Sequence, residues 1–397
     1  PGGFVAAAKE RCRCCNFEFE VDDEEEPAVA AAAAQNGGPE ASSNRNVPPP
    51  AGGRRRPRSS AALERLPSDA EIAAALEGAS RFDSHAHVHH LGGGLASATT
   101  TSATTPPFAV VAQACEEEEW AKVVEFCSKS PRFVAGLGVH PWRAHAVTDE
   151  AAMAKRLEEA LRLHPRAIVG EIGLCKCAKN VRGKKDERDA GFLKQVAVFE
   201  AQLAVAAELG RPVSVHAVKA NAALKKAISN VTTVPGKKTQ RVALHSFSGT
   251  ADLVRALLKD YAPLGVELYF GFSHTVNVEM NKHNNTQKRR DALYDAIAAV
   301  PDDRILVESD VDDLESARLA TDRAVALVAA VKGWSLADTA KRTSKNALAW
   351  LNLRPPPAAA ERTSAADYSG PVVVRGDYSV PRADYSVPRA DYSVPRA

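Results

Sequence analysis

The chain has 397 residues, and its 51 Lys and Arg side chains nearly balance 49 Asp and Glu side chains, which leaves a formal charge of +2. Hydrophobic residues make up 45% of the sequence and charged residues 25%, an ordinary composition for a globular protein. These figures exclude a histone-like polycation, a collagen and a disulfide-stabilised scaffold. No run of about 18 apolar residues occurs, so we expect no segment that crosses a membrane.

Cysteine usage and the start of the chain bear on the cellular compartment. The cysteines number seven, and several lie in close groups, such as Cys12, Cys14 and Cys15. An odd number in close groups favours a reducing compartment over a disulfide framework. The first residues lead into charged ones without the apolar stretch of a secretory signal. We therefore expect a cytoplasmic or nuclear protein.

Residues 1–66 show no helical or strand periodicity. An acidic run, an alanine tract, a proline cluster and a basic block follow one another in this segment. Such a composition cannot bury a core, so we expect a disordered, low-complexity N-terminal tail. The basic block at 54–58 has two interpretations, a nuclear-localisation patch or simply solvated charge.

Residues 355–397 form a second unusual segment. The heptapeptide Asp-Tyr-Ser-Val-Pro-Arg-Ala occurs three times in succession between residues 377 and 397. A proline in every repeat forbids a continuous helix and predicts an extended, disordered tail. The repeats are either a ligand for a partner protein or a recent duplication without function. A single folded domain is then expected over residues 67–354.

Within 67–354, apolar and β-branched runs alternate with helical stretches. The predicted strands lie at 81–88, 108–114, 132–139, 166–172, 211–216, 241–246, 266–272 and 304–309. The predicted helices lie at 116–128, 149–163, 189–209, 218–229, 250–260, 286–299, 313–332 and 336–351. Eight such units predict an α/β fold, either a closed (β/α)₈ barrel or a doubly wound sheet. Near-continuous apolar strands and the absence of G-x-G-x-x-G after the first strand favour the barrel.

Ionisable side chains recur at the ends of these predicted strands. They are His85, His87, Glu171, His216, His245 and Asp310. In a barrel the carboxyl ends of the strands meet on one face, where active sites are built. Buried together, these groups would be costly without a compensating cation, so the pattern predicts a site for divalent metal. Mixed histidine and carboxylate ligands suit Zn²⁺, Mn²⁺ or another divalent ion such as Mg²⁺.

Several segments spread over the domain carry a resemblance to a known family. They read FDSHAHVHH (82–90), GLGVHPW (136–142), IVGEIGL (168–174), RPVSVHA (211–217), LHSFSG (244–249), LYFGFS (268–273), RILVESD (304–310) and KGWS (332–335). On these segments the chain resembles the TatD family of metal-dependent hydrolases, most of all its fungal branch. The resemblance implies a TIM-type barrel with one or two divalent ions, and a family that includes deoxyribonucleases.

The resemblance also implies a ligand set. It assigns a first ion to His85, His87, Glu171 and Asp310. Glu171 would bridge to a second ion, which His216 and His245 would also hold. A divalent ion lowers the pKa of the water that it binds, which supplies a nucleophile near neutral pH.

Two further residues have expected catalytic roles. Asp310 is placed to accept the proton of the attacking water as general base. His140, at the end of the third predicted strand, either contacts the substrate and the leaving oxygen or belongs to a structural G-V-H-P turn.

The sequence departs from the family pattern at three places. Cys175 stands where an aspartate usually follows the G-E-x-G-L segment, and it could offer a soft ligand that favours zinc. Val311 replaces a proline that often follows the last aspartate. Lys219 lies where many members have an arginine shortly after the histidine of the fifth strand.

Basic residues on the expected catalytic face suggest the substrate. We assign substrate binding to Lys176, Lys179, Arg182 and Lys219, because a phosphate-bearing substrate would find a positive rim there. A solvated charged loop is the alternative. The first hypothesis is therefore a metal-dependent phosphodiesterase acting on DNA, a deoxyribonuclease or exonuclease. An amidohydrolase or esterase acting on a small substrate and a non-catalytic interaction module with partners bound through the tails stay open, and we expect a monomer.

Overall fold

The computed structural model describes residues 66–90, 108–232, 240–280 and 286–353. The two tails that the sequence predicts to be disordered, 1–66 and 355–397, lie outside these residues except for Leu66. The basic block and the heptapeptide repeats fall in the same undescribed segments, so their interpretations stay predictions.

Eight parallel strands form one sheet, and their order in space follows their order in the chain. The strands are β1 (Arg81–Ala86), β2 (Phe108–Gln113), β3 (Phe133–Leu137), β4 (Ile168–Cys175), β5 (Val213–Val218), β6 (Gln240–Leu244), β7 (Val266–Ser273) and β8 (Ile305–Glu308). Backbone hydrogen bonds join the two edge strands, β1 and β8, just after β8 ends. Asp310 N donates to the His85 carbonyl at 2.9 Å, and His87 N donates to the Val311 carbonyl at 2.8 Å. The predicted (β/α)₈ barrel is confirmed.

Helices alternate with the strands from β2 onward in the described part of the chain. They are α1 (Asp69–Ala75), α2 (Trp120–Ser128), α3 (Glu150–Leu163), α4 (Lys185–Leu209), α5 (Asn221–Thr232), α6 (Ala251–Tyr261), α7 (Gln287–Ala299), α8 (Leu314–Lys332) and α9 (Leu336–Trp350). Helix α1 is absent from the sequence-based prediction, although Ser68 and Glu71 form a capping box at its start.

Two boundaries differ from the prediction in ways that affect the catalytic face. Strand β4 continues to Cys175, beyond the predicted end at 172, because Leu174 and Cys175 pair with Ala217 and Val218 of β5. Helix α4 begins at Lys185 instead of 189, where the Glu187 carboxylate accepts a hydrogen bond from Lys184 N at 3.0 Å. The lysine-rich connection is therefore shorter than the sequence suggests, and Lys185 belongs to the helix.

The N-terminal end of the barrel is filled by apolar side chains. Phe82, Ile168 and Leu306 pack there with residues from neighbouring strands, and Trp350 at the end of α9 joins the cluster with no exposed surface. Inward-pointing layers of this kind are typical of TIM barrels, in which the interior is a packed core.

Within the described residues, one helix, α4, is long and apolar enough to cross a membrane by length and composition alone. Core helices of folded domains pass the same test, and the side chains of α4 behave as those of a core helix. Buried Gln195 hydrogen-bonds the backbone of Cys175, and buried Gln202 hydrogen-bonds the backbone of Val139. These contacts attach α4 to the barrel.

Candidate metal centre

The six ionisable residues predicted from the strand ends come together on the C-terminal face. His85 lies within β1 and Glu171 within β4, while His245 directly follows β6. All six side chains are buried or nearly so, the most exposed being His216 at 15%. Gly173, with φ of +152°, lets β4 approach β5 at this point, because a Cβ there would collide with the His216 carbonyl.

Glu171 lies at the centre of the cluster and presents its two carboxylate oxygens to different histidines. Oε2 lies 3.5 Å from His85 Nε2 and 3.4 Å from His87 Nε2. Oε1 lies 3.3 Å from His216 Nδ1 and 2.8 Å from His245 Nε2. Burial raises the pKa of Glu171, but the surrounding imidazoles outweigh burial and hold that pKa well below its usual range. The arrangement is that of a carboxylate able to bridge two cations.

Asp310 faces the same two histidines of the first strand. Its Oδ1 lies 3.8 Å from His85 Nε2 and 3.5 Å from His87 Nε2. Its backbone is left-handed, with φ of +56°, a conformation that aspartate and asparagine tolerate better than most residues. Burial raises the pKa of Asp310, but His87 and the neighbouring imidazoles more than offset burial and lower it, so the carboxylate is ionised at neutral pH.

Hydrogen bonds on the far side of two imidazoles fix which nitrogen faces the cluster. His87 Nδ1 lies 3.0 Å from the backbone carbonyl of Gln113, to which it can only donate, so Nε2 is the nitrogen that could bind a cation once it gives up its proton. His85 Nδ1 lies 3.0 Å from Ser214 Oγ. The buried Nε2 atoms of both histidines have no hydrogen-bond partner among the described residues. Buried imidazole nitrogens that face carboxylates without a hydrogen bond of their own fit a divalent cation, and groups drawn from these residues could hold one.

The histidines differ in charge in the absence of metal. Burial lowers the pKa of His85 to about 4, because Glu171 and Asp310 only partly compensate for the lost hydration. For His216, burial also lowers the pKa, but contacts with Cys175 and Glu171 outweigh it and raise the pKa to about 10. A cation that binds His216 must therefore displace a proton at neutral pH, so metal affinity weakens as the pH falls.

His140 belongs to the structural turn and also faces the cluster, so its contact with the substrate stays a prediction. Its Nδ1 accepts a hydrogen bond from Trp142 N at 3.2 Å, which is the structural turn. Its Nε2 lies 3.4 Å from Glu171 Oε1, and its ring lies edge-on to His216 with centroids 4.6 Å apart. Because Nδ1 accepts, Nε2 carries the proton of the neutral ring and can donate to Glu171 or to a bound anion.

Cys175 lies beside this cluster as a neighbour of His216. It is buried against Ala178 and Val181. Burial raises the pKa of the Cys175 thiol, but the contact with His216 outweighs burial, and the net effect lowers it. In the described part of the chain, the groups whose donor atoms converge tightly enough for a cation contain only histidine, glutamate and aspartate. The structure thus gives Cys175 a contact with His216 in place of a position among those groups.

The four basic residues predicted to bind substrate are exposed on the same face. Lys176 and Lys179 follow β4, and the positive charges of Arg182 and Lys219 act on the thiol of Cys177. Asn180 Nδ2 donates to the Pro141 carbonyl at 3.1 Å, which attaches this segment to the turn after His140.

Sequence reasoning did not assign a role to Glu308, which lies inside the barrel below the cluster. Its carboxylate accepts hydrogen bonds from Ser84 Oγ at 3.0 Å and from the backbone N of Ser246. Burial raises the pKa of Glu308 to about 7. Residues two apart on a strand point to the same face, so an inward-facing Leu306 predicts that Glu308 also points into the barrel.

A parallel barrel that gathers histidines and carboxylates on its C-terminal face has the architecture of a metal-dependent hydrolase. The model of the family described as TatD related DNase matches residues 82–352, most of the chain. The chain therefore belongs to the TatD family, as the sequence segments suggested.

Individual relatives agree with this assignment. Cut9-interacting protein scn1 of Schizosaccharomyces pombe is 27% identical over 53% of this chain and 70% of that protein. The 3′-5′ ssDNA/RNA exonuclease TatD of Edwardsiella piscicida is 32% identical over 48% of this chain and 63% of that protein. Among solved structures, the TatD homologue YJJV of Escherichia coli K12 covers 69% of this chain and 98% of its own, with a TM-score of 0.53 and 20% identity, and supports the fold.

Proposed function

We propose that this TatD-family hydrolase is a divalent-metal-dependent phosphodiesterase that acts on single-stranded DNA. The observation that carries the proposal is the position of Glu171, whose Oε2 faces His85 and His87 and whose Oε1 faces a different set of histidines. A bridged pair of cations is the arrangement that in-line displacement at phosphorus uses.

The residues that would hold the ions follow from the two sides of Glu171. The first side offers His85, His87, Asp310 and Glu171 Oε2, and the second offers His216, His245 and Glu171 Oε1, with each imidazole within 3.8 Å of a carboxylate oxygen of the cluster. Bound divalent ions, Mg²⁺, Mn²⁺ or Zn²⁺, would supply Lewis-acid stabilisation of a phosphorane-like transition state and a water of lowered pKa.

The remaining chemistry belongs to side chains of this chain. Asp310 accepts the proton of the attacking water, since its carboxylate is ionised and its Oδ2 lies 3.4 Å from the Ser246 hydroxyl, which helps to orient it. His140 Nε2 is directed into the cluster and serves to contact the phosphate or the leaving oxygen. Gln113 and Ser214 hold the first two imidazoles in place.

The choice of DNA rests on charge and on relatives. Lys176, Lys179, Arg182 and Lys219 present positive charge beside the cluster, although the whole chain carries only +2. The bacterial relatives named 3′-5′ ssDNA/RNA exonuclease point to the same substrate class. Phosphate contacts from such residues position a strand without reading its sequence.

The test uses the full chain and single-stranded DNA labelled at either end, with Mg²⁺, Mn²⁺ or Zn²⁺ added after chelation. We expect metal-dependent release of nucleotides, and a loss of at least about 10³-fold in Asp310→Asn. Asparagine tolerates the left-handed backbone at this position, so the variant should fold. Full activity in Asp310→Asn, or cleavage that persists in chelator, would contradict the proposal.

A second arm of the test separates phosphodiesters from small esters and amides. Replacing Lys179 and Arg182 by Gln should raise KM for DNA about tenfold and weaken its salt dependence, with kcat little changed. Lys185→Gln is the matched control, because Lys185 already pairs with Asp189 at 2.8 Å. If the protein hydrolyses small amides or esters and DNA does not inhibit this turnover competitively, the result would instead favour an amidohydrolase or esterase.

A second candidate function, protein binding, is favoured by one comparison. The relative from S. pombe is named for its interaction with Cut9. We propose a cytoplasmic or nuclear location on the same basis. A variant such as Asp310→Asn that retained full biological activity in cells would favour binding over catalysis.

A further inference from the structure

Three further side chains converge just outside the centre described above. His89 and His90 follow β1, and Glu119 ends the short helical turn Glu117–Glu119 before α2. His89 Nε2 lies 3.7 Å from Glu119 Oε2, and His90 Nε2 lies 3.6 Å from Glu119 Oε1. The two imidazole rings lie with their centroids 4.0 Å apart. One donor atom from each residue fits within 4.8 Å of the others.

The burial of His89 makes this cluster unusual. Its side chain is 1% exposed, and neither ring nitrogen has a hydrogen-bond partner among the described residues. An imidazole buried without a hydrogen bond loses its hydration for only the 3.7 Å contact with Glu119, which costs free energy. A cation bound by His89 and Glu119 together would remove that cost.

We propose that His89, His90 and Glu119 form a third, zinc-selective metal site beside the two-ion centre. Four-coordinate Zn²⁺ with bonds of about 2.0–2.1 Å places its ligand atoms about 3.3 Å apart, and each imidazole here already lies within 3.7 Å of a Glu119 oxygen, so a bound ion would draw the three donors closer together. Two imidazoles with one carboxylate suit Zn²⁺, whereas Mg²⁺ prefers oxygen ligands throughout.

Water would complete the coordination of the ion. The residues that follow the pair, 91–107, contain no His, Cys, Asp or Glu, so this stretch of sequence supplies no further side chain of the usual ligand types. Nearby Glu116 and Glu117 pair with Arg143 and Arg156, respectively. Three protein ligands and an open position resemble a catalytic or exchangeable zinc site more than a closed structural one.

Cys115 connects the third site to the main centre. Its backbone N donates to Glu119 Oε2 at 2.7 Å, and its Sγ lies 3.8 Å from both His87 Nδ1 and Glu171 Oε2. An ion at the third site would fix Glu119 and thereby Cys115, which contacts residues of the main centre. The third site depends on its own three residues and does not rest on the nuclease proposal.

The test counts zinc in the full chain after chelation, reloading and gel filtration, by elemental analysis. In a Glu171→Gln background, in which the main centre is weakened, we expect one equivalent of Zn²⁺ to remain and Mg²⁺ to be unable to replace it. Adding Glu119→Gln should remove that equivalent and weaken Zn²⁺ binding at least about 100-fold. Glutamine keeps the size of the side chain and can still accept from Cys115 N.

Glu118→Gln is the matched control, because Glu118 is the exposed neighbour of Glu119 and should leave the zinc count unchanged. His90→Asn is a second variant in case Glu119→Gln misfolds, and it should also lose the equivalent. Equal zinc content with and without Glu119→Gln, or no zinc in the Glu171→Gln protein, would overturn the third site. Absent nuclease activity would leave the zinc count readable, so the two proposals fail separately.

Discussion

Along two strands of the barrel, the side chains change from apolar to ionisable within a few residues. Strand β1 places Phe82 in the apolar cluster at the N-terminal end and His85 in the ionisable cluster at the C-terminal end. Strand β8 places Leu306 in the first cluster, and Asp310 follows in the second. Each of these strands therefore contributes one residue to an apolar packed layer and another to a buried polar site.

The difference teaches where the free energy of folding arises. Apolar burial at the N-terminal end contributes about 25 cal/mol per Å² of surface removed from water. At the C-terminal end, buried imidazoles and carboxylates cost desolvation that only their mutual contacts and a bound cation offset. Stability and chemistry should therefore respond to different substitutions, and this separation can be tested.

The largest effect is expected at the C-terminal end, in Glu171→Gln. A neutral amide cannot bridge two cations, so hydrolytic activity should fall at least about 10³-fold, a loss of about 4 kcal/mol of transition-state stabilisation. The rise in melting temperature that added metal gives the unaltered protein should shrink as well, because ligand binding stabilises only the folded state. Activity assays and thermal melts with and without Mn²⁺ measure both effects.

Glu117→Gln is the control, since Glu117 pairs with Arg156 on the surface. An unchanged metal response in Glu171→Gln would mean that the centre does not depend on the bridging carboxylate.

The second prediction concerns the N-terminal end, in Trp350→Ala. Removing this fully buried ring should lower the free energy of unfolding by about 3–5 kcal/mol, through lost burial and a cavity. Activity per folded molecule should stay within about threefold, because Trp350 packs in the apolar cluster at the end of the barrel opposite the ionisable cluster. Denaturant unfolding and assays below the transition check the two halves of this expectation.

Trp350→Phe is the matched variant. The indole Nε1 has no hydrogen-bond partner among the described residues, so phenylalanine loses packing only and should cost about 1 kcal/mol. A large drop in activity in Trp350→Ala with little loss of stability would break the separation between the two ends.

Much of this separation could be predicted from sequence. Apolar runs followed by ionisable residues, such as Ile305-Leu306-Val307 before Asp310, identify both the strand and the end at which chemistry lies. The barrel and the convergence of six site residues follow from that periodicity.

Contacts between distant segments could not be predicted in this way. Glu119 lies 30 positions after His89, in a short helical turn that no hydrophobic periodicity predicts. Nothing in the sequence therefore indicates that the two residues meet. The environment of Cys175 depends on His216 of the next strand. His140 was ambiguous because its two ring nitrogens have different partners, which only the folded turn reveals.

The smallest of the three expected effects concerns Asp83, a buried residue of β1 two positions before His85. Its Oδ1 accepts from the backbone N of His85 and of Ser309, both at 3.1 Å, and its Oδ2 accepts from Thr321 Oγ1 at 3.0 Å. Burial raises the pKa of Asp83 from 3.8 to about 7, against the effect of these hydrogen bonds. A carboxyl whose pKa is raised on folding binds a proton more tightly in the folded state. Its contribution to stability is therefore lost as the pH rises from about 4 to about 7.

In Asp83→Asn this pH dependence should disappear, because asparagine does not titrate. The amide oxygen can accept from both backbone N–H groups, and the amide nitrogen can donate to Thr321 Oγ1, whose own proton has the Ala317 carbonyl at 2.7 Å as acceptor. The unaltered protein should lose about 2–4 kcal/mol relative to the variant between pH 4 and pH 7, from a shift of about three pKa units. Urea unfolding in chelator, which removes the pH dependence of metal binding, measures the difference. Parallel pH profiles for the two proteins would mean that the hydrogen bonds keep Asp83 ionised, and that the polar end of the barrel costs less than its burial implies.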